Sequence, residues 1–204
     1  GFTMKGTSGT DATIAQAAEN VQNNTGSRQR YDFRGKPNDG TISVAVSNGN
    51  FTLVGNPYPS AIDLHAYLLD PANAAVINGT AYFWEQSVVN THVLNQYQGG
   101  YGKYTVGGGY LPADIWSYNG DGTYNTDTGA NGTAYQRKFT PIGQGFMVMG
   151  TAAGNVTMRN SFRIFVKEGA GNFSEFARTA EPANSVYDEN AEFFPEIPNV
   201  AGVD

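Results

Sequence analysis

A set of aromatic side chains in the middle of the chain is the strongest candidate for ligand binding. Flat rings with one polar edge can stack on sugar rings and hydrogen-bond to sugar hydroxyls. Large aromatics in strands, such as Trp84, are more often part of a core, so the tyrosines of the glycine-rich segment 97–110 are the ones expected to be exposed. The candidate ligand-binding residues are Tyr97, Tyr101, Tyr104, Tyr110, Trp116 and Tyr118. They predict either a sugar-binding surface or, as the simpler interpretation, aromatic packing.

The polar segment 119–127 has the spacing of a calcium site. Calcium loops place oxygen-bearing side chains at alternate positions, which here are Asn119, Asp121, Asn125 and Asp127. Tyr124 stands where an EF-hand requires glycine, and no glutamate closes the loop. Asn-Gly and Asp-Gly also form turns without an ion. A simple turn is therefore the preferred interpretation, and calcium is the one cofactor considered.

Groups suited to catalysis are few. The two histidines, His65 and His92, have no Gly-x-Ser-x-Gly nucleophile motif to accompany them. Asp63, Glu85 and Asp114 could converge as the paired carboxylates of a glycosidase do. However, Asp63 already has the spacing of a helix cap and Glu85 alternates out of an aromatic strand. The chain is therefore expected not to be an enzyme.

The amino-acid composition limits the classes of molecule that the protein is expected to bind. The 204 residues carry a net charge of −6, which disfavours nucleic acid and anionic membranes because both require a basic surface. No apolar run approaches the roughly 18 residues of a membrane span. The chain has no cysteine, so disulfides and thiolate sites are excluded. A polysaccharide or another surface protein remains as the expected partner.

Alternating apolar residues predict three consecutive antiparallel strands at 31–35, 41–47 and 51–55. Asn48-Gly49 is a hairpin signal between the second strand and the third. The residues expected to face the core are Phe33, Val44 and Leu53.

A proline-rich corner follows these strands. Pro57 and Pro59 hold the backbone extended, and Ser60 with Asp63 has capping-box spacing. Ser60 is therefore predicted to cap a helix of about two to three turns. The apolar face of that helix would carry Ile62, Leu64, Tyr67 and Leu68.

The remaining pattern gives strands at 81–85 and 115–118 and a hairpin of 146–149 with 156–158. Segment 97–110 is too rich in glycine for regular structure and is predicted to be a surface loop, and 119–133 a polar insert. The fold class predicted is all-β, an antiparallel, jelly-roll-like β-sandwich with one or two short helices.

An internal similarity suggests how the chain is divided. Gly1–Gly9 resembles Gly145–Gly154, and Tyr31–Arg34 resembles Val156–Arg159. Residues 1–35 are therefore interpreted as the C-terminal half of a preceding related repeat, 36–170 as the β-sandwich module, and 171–204 as a linker to a following domain.

Several motifs carry a family resemblance. Gly55–Asp63, Tyr82–Glu85 and Pro141–Val148 resemble a module of Bacteroidetes secreted and cell-surface proteins exported by the type IX secretion system, as do Phe33–Asn38 and Phe165–Glu168. The resemblance covers roughly residues 1–170. It implies an extracellular or cell-surface location, often in an adhesin, and it implies no catalytic residues.

Two functions follow from these observations. The first is a non-catalytic extracellular β-sandwich module of a bacterial surface or secreted protein, serving adhesion or structural spacing. The alternative is a carbohydrate-binding module that uses the tyrosine-rich segment.

Overall fold

The computed structural model describes residues 36–87, 93–167 and 169–175, in which the chain forms mainly antiparallel β-sheet. The strands, in chain order, are β1 (Ile42–Val46), β2 (Phe51–Gly55), β3 (Ala61–Asp63), β4 (Ile77–Gln86), β5 (Gln98–Thr105), β6 (Gly109–Leu111), β7 (Asp114–Tyr118), β8 (Tyr124–Asn131), β9 (Phe139–Thr140), β10 (Gly145–Gly150), β11 (Gly154–Met158) and β12 (Arg163–Ile164). The two short helices are α1 (Leu64–Leu69) and α2 (Pro71–Ala74). No helix among the described residues has the length and apolar character needed to cross a bilayer.

The strands form three sheets. The largest has the order β2-β10-β4-β5-β7-β8, with β6 as a seventh strand paired to β5. A second sheet is the pair β1-β11, and a third has the order β12-β3-β9. The pairings between these strands are all antiparallel.

The core lies between the seven-stranded sheet and a second layer made of the two smaller sheets and α1. The sheet contributes Phe83 and Phe146 from its inner face. The opposite layer contributes Tyr67 of α1, whose ring lies 5.7 Å from that of Phe146, and Val156 of β11. This arrangement confirms the predicted all-β, sandwich-like fold with two short helices.

The predicted hairpin pairing of β1 with β2 is wrong. The turn at Asn48-Gly49 is present, but β1 pairs with β11 and β2 pairs with β10. The turn between β1 and β2 therefore crosses from one layer to the other. The connection from β10 to β11 also crosses between the layers, so the hairpin predicted for 146–149 with 156–158 is wrong too. The two crossings are joined by a 2.9 Å hydrogen bond from the Gly49 N–H to the Gly150 carbonyl. A Cβ at Gly150 would lie 2.2 Å from the Ser47 carbonyl oxygen, which explains the glycine at this close approach.

The inward face of β2 also differs from the prediction. Val54 is buried opposite Phe146, whereas Leu53 pairs with Met147 on the outer face of the sheet. Val44 packs against the core as predicted. Phe33, strand 31–35 and the similarity of 1–9 to the β10 region involve residues outside the described part of the chain.

Asn56 fixes the corner after β2. Its buried Nδ2 donates to the carbonyls of Ser60, Thr140 and Pro141 at 2.7, 3.2 and 3.0 Å. Its Oδ1 accepts the Tyr58 N–H at 3.0 Å. An amide suits this corner because its NH2 group has two N–H donors to share among the carbonyls while its oxygen accepts.

Ser60 does not cap the helix that follows the corner. Residues 61–63 form β3, and α1 begins only after Asp63, whose Oδ1 accepts the Ala66 N–H at 3.0 Å. The Ser60 hydroxyl instead accepts from Arg163 Nε at 3.1 Å. The predicted cap was displaced by three residues because Ile62 is buried in a strand rather than in the first turn of the helix.

The glycine-rich segment is not a loop. It forms β5, which pairs with β4, β6 and β7, and the short strand β6. Its glycines make room for neighbouring groups: a Cβ at Gly100 would lie 2.1 Å from the Asp114 carbonyl oxygen, and one at Gly102 would lie 2.0 Å from the Tyr110 hydroxyl. The polar insert predicted at 119–133 likewise contains a strand, the exposed edge strand β8.

Candidate functional site

Five aromatic side chains meet on the outer face of the seven-stranded sheet and form a surface that we call the platform. Its members, drawn from four adjacent strands, are Trp84 of β4, Tyr101 of β5, Trp116 and Tyr118 of β7, and Tyr124 of β8. Side chains alternate between the two faces of a strand. Trp84 therefore points away from the core that Phe83 and Glu85 enter.

The rings of the platform contact one another at tilted angles. Trp84 lies 5.1 Å from Tyr101 and 5.9 Å from Tyr118, with interplanar angles of 69° and 47°. Tyr124 lies 5.2 Å from Trp116 and 5.4 Å from Tyr118, at 55° and 35°. These separations are those of favourable aromatic pairs. The ring planes of the platform are therefore not parallel, and together they do not form a flat surface.

Much of the platform remains open to solvent. Tyr101 is 41% exposed and Tyr124 is 61% exposed, while the other three rings are half-buried by their neighbours. Burial raises the pKa of Tyr118 to about 12, with Tyr124 adding to the effect. Burial also raises the pKa of Tyr101. Both hydroxyls are thus protonated at neutral pH. The Tyr118 hydroxyl donates within the protein, to the Gly99 carbonyl, and the Tyr101 hydroxyl can donate to a ligand.

Gly99 of β5 makes room for the ring of Trp84. A Cβ at this position would fall 2.5 Å from Trp84 Cζ2. The carbonyl of Gly99 also accepts the Tyr118 hydroxyl at 3.2 Å. One glycine therefore positions two rings of the platform.

Asp127 supplies a carboxylate beside the platform. It lies opposite Trp116 in the pairing of β7 with β8. Its Oδ1 accepts the Gly129 N–H at 2.9 Å, which holds the side chain in place. The platform thus combines apolar ring faces with a fixed acceptor, the chemistry that suits a polyhydroxylated ligand.

The structure divides the predicted aromatic set between the two faces. Tyr101, Trp116 and Tyr118 belong to the platform. Tyr104 is buried in the core and Tyr110 packs inward against Phe83, so the expectation that both are exposed is wrong. Tyr97 follows the turn at Leu94–Gln96 and is half-buried.

Trp84, for which the strand pattern favoured a core role, projects from the outer face instead. Tyr124 completes the platform and was not among the predicted ligand residues. A hairpin across the segment Asn119–Thr123 brings Tyr124 opposite Tyr118. The Asn-Gly-Asp-Gly sequence between the two tyrosines was the signal that could have predicted this pairing.

A second aromatic cluster, the inner cluster, lies on the opposite face of the same strands around Glu85. The Glu85 side chain accepts the Tyr110 hydroxyl at 2.5 Å and the Ala113 N–H at 3.1 Å on Oε1. Its Oε2 accepts the Thr133 N–H at 2.6 Å. Only 7% of Glu85 is exposed. This carboxylate is fully engaged in holding three chain segments together.

Arg137 supplies the positive charge of the inner cluster and is 1% exposed. Its guanidinium carbon lies 4.3, 4.7 and 5.2 Å from the ring centroids of Tyr135, Phe83 and Tyr110, and Nη1 donates to the Glu175 carbonyl. Burial lowers the pKa of Arg137, and nearby Tyr110, Tyr135 and Glu85 oppose that shift. Sequence reasoning gave no role to Arg137, because nothing in its local pattern indicates burial.

The three predicted carboxylates have separate surroundings. Asp63 caps α1, Glu85 is enclosed in the inner cluster, and Asp114 is exposed at the start of β7. The inner cluster is too enclosed to hold a substrate against Glu85.

The predicted calcium residues form a tight hairpin end. Asp121 Oδ1 accepts both the N–H and the hydroxyl of Thr123 at 2.9 and 2.7 Å, which lowers the pKa of Asp121. Asn119 Nδ2 donates to the Thr123 hydroxyl at 2.9 Å. Asn125 and Asp127 lie in β8 itself. Within the described ranges, no group of three or more His, Asp or Glu side chains is placed to hold a metal, and calcium binding stays a prediction.

The second layer has a groove of its own. It lies between residues 59–61 and 164–166, has a volume of about 210 Å³, and is lined mainly by apolar atoms. Phe165 at its rim is fully exposed. The groove has no cluster of rings or polar groups comparable to the platform.

Comparison with known proteins places most of the chain in a family. A family model described as a domain of unknown function, DUF8693, matches residues 4–193. No curated protein and no solved structure matches the chain.

Proposed function

Since the chain belongs to DUF8693, a family of unknown function, we propose a function from its own geometry. The chain is a non-catalytic, extracellular β-sandwich module of a bacterial surface or secreted protein, and it binds polysaccharide through the platform. In this way the module attaches its parent protein to a glycan surface.

The observation that supports this proposal is the placement of the platform. Antiparallel sheets usually present polar residues on the face that is turned to solvent. Here four adjacent strands present aromatic rings instead, and the side chains of Tyr101 and Tyr124 are 41% and 61% exposed. An exposed aromatic surface on a soluble domain usually marks an interaction site.

A structural role as a spacer between domains is the second candidate function. It is favoured by the close mutual packing of the rings, since Trp84 and Tyr118 are covered by their aromatic neighbours. In that case the platform would protect the sheet rather than bind a ligand. The proposed extracellular location rests on the resemblance of segments such as Gly55–Asp63 to a module of Bacteroidetes secreted proteins, and fractionation of the producing cells would test it.

Retention on polysaccharides separates the two candidates. The full chain is tested by affinity electrophoresis and pull-down against cellulose, xylan, mannan, chitin, starch and alginate. We expect saturable binding to at least one of the neutral glycans. The double variant Tyr101→Ser/Tyr124→Ser should abolish it without changing the thermal midpoint by more than a few degrees.

Phe165→Ser is the matched control, because it removes an exposed ring from the opposite layer. It should leave glycan retention intact. Absence of binding to every glycan, or equal loss in the control and the double variant, would overturn the proposal and favour the spacer.

A further inference from the structure

Apolar side chains continue on the outer face beyond the platform, as far as the edge strand β2. Leu53 of β2, Met147 of β10 and Tyr82 of β4 lie side by side in register. The ring of Phe51 packs edge-on against Tyr82 at a centroid distance of 5.1 Å and an angle of 89°. Phe51 is 49% exposed. We call Phe51 and Tyr82 the edge pair.

The edge pair is not part of the hydrophobic core. The buried residues of the same strands are Val54, Phe83 and Val148, which point to the opposite face. Tyr82 precedes Trp84 by two residues on β4, so both project from the same side of the sheet. The edge pair and the platform therefore adjoin on one face of the sheet, where Lys103 of β5 lies opposite Tyr82.

This surface crosses the sheet from one edge to the other. The order β2-β10-β4-β5-β7-β8 separates its ends by five strand spacings, or about 24 Å at about 4.8 Å per spacing. A disaccharide covers only part of that distance. A ligand that contacts both ends must be an extended chain lying across the strands.

The charge and shape of the outer face further limit which polysaccharide chain it can bind. The carboxylate of Asp127 lies opposite Trp116 and the ammonium group of Lys103 lies on the strand position opposite Tyr82, so charges of both signs are spread over this face and none is concentrated there to attract a polyanion. The ring planes differ by 35° to 69° between contacting members. They cannot all stack on one flat crystalline face, whereas a single chain can turn its successive sugar rings to meet them.

We propose that the outer face binds one extended, neutral polysaccharide chain, with the platform and the edge pair as two subsites. This inference rests on the proposed function and adds to it the length, charge and direction of the ligand. Tyr82 lies on β4 next to Trp84, so the member of the edge pair that needs a longer oligosaccharide is Phe51, which contributes only when the ligand reaches β2.

Calorimetry with oligosaccharides of increasing length tests this proposal. The probes are cello-, xylo-, manno- and chito-oligosaccharides, from disaccharide to octasaccharide. For the series that binds, we expect affinity to rise in two steps, the second when the chain reaches the edge pair. Phe51→Ser should remove the second step, a loss of about tenfold for the longest oligosaccharides, and should leave the shortest unaffected.

Two matched variants locate the effect. Tyr101→Ser, in the platform, should weaken the binding of oligosaccharides of every length. Phe51→Tyr keeps an aromatic ring at the edge pair and should therefore retain the second rise in affinity. The length series on the unmodified protein stands by itself if Phe51→Ser does not fold. Affinity that reaches its limit at the trisaccharide, or is indifferent to Phe51→Ser, would overturn the two-subsite proposal while leaving the proposed function intact. Failure of every series and every polysaccharide to bind would overturn both.

Discussion

The inner cluster and the platform are built from the same strands, yet they use aromatic residues in opposite ways. On β4, Phe83 and Glu85 enter the inner cluster, whereas Trp84 projects into the platform. In the inner cluster, the ring centroid of Tyr110 lies 5.2 Å from the guanidinium carbon of Arg137, and the Tyr110 hydroxyl donates a hydrogen bond to Glu85 at 2.5 Å. In the platform, the rings contact mainly one another and solvent.

This difference shows that aromatic content alone does not identify a binding site. A ring that packs against a buried charge stabilises the fold and has no free face for a ligand. A ring supported from one side, as Tyr101 is by Trp84, keeps a face for a ligand. Variants on the two faces should therefore affect different measurements, stability on the inner side and binding on the outer side.

The largest effect is expected from Glu85→Ala. Removing this carboxylate leaves the Tyr110 hydroxyl and the Ala113 and Thr133 N–H groups without their acceptor, and Arg137 without its nearby negative charge. Breaking a buried charge network in this way typically costs about 3–5 kcal/mol. The measurement is the free energy of unfolding from denaturant titration followed by tryptophan fluorescence.

Asp114→Ala is the matched control, since this carboxylate is exposed and lies next in sequence to Ala113. Its free energy of unfolding should change by no more than about 0.5 kcal/mol. Equal effects of the two substitutions would mean that the inner cluster does not depend on the carboxylate of Glu85.

An intermediate effect is expected from alkaline pH. Burial, followed by the hydrogen bond to Glu85, raises the pKa of Tyr110, and burial raises that of Tyr118 from 10.0 to about 12. The folded protein thus holds both protons more tightly than the unfolded chain, and stability should fall as the pH rises above 10. Unfolding measured at pH 9, 10 and 11 should show a steep decline in the native protein and a flatter one in Tyr110→Phe. A larger flattening of the pH dependence in Tyr118→Phe than in Tyr110→Phe would contradict the assignment of the inner and outer faces.

Much of the fold could be predicted from local alternation, but the strand partners could not. The patterns of β1, β4 and β7 are correctly identified as strands because each alternates or carries aromatics over a short run. The partner of β1 is determined by the crossing at Gly49 and Gly150, which brings together residues a hundred positions apart. No local pattern encodes such a contact, and a two-residue turn looks the same whether it joins paired strands or crosses between layers.

The platform could be predicted only in part, for a similar reason. Tyr101, Trp116 and Tyr118 were identified by residue type. Once 98–105 is known to be a strand, the period of two places Tyr101 outward and Tyr104 inward. The glycines that made the segment resemble a loop, such as Gly100, are required by distant groups, and their role becomes visible only in the folded protein.

The smallest effect on stability is expected from Tyr101→Ser. Its ring is 41% exposed and packs against the outward-facing Trp84 rather than against a residue of the hydrophobic core named above. The free energy of unfolding should therefore fall by no more than about 1 kcal/mol, as for other partly exposed side chains. The same variant should lose most of its retention on the polysaccharide that binds the native protein, because the ring face is the part presented to the ligand. The free energy of unfolding and the polysaccharide retention should be measured on one preparation. If unfolding became easier by several kcal/mol while retention was unchanged, Tyr101 would stabilise the fold as the inner cluster does, and the distinction between the two faces would be wrong.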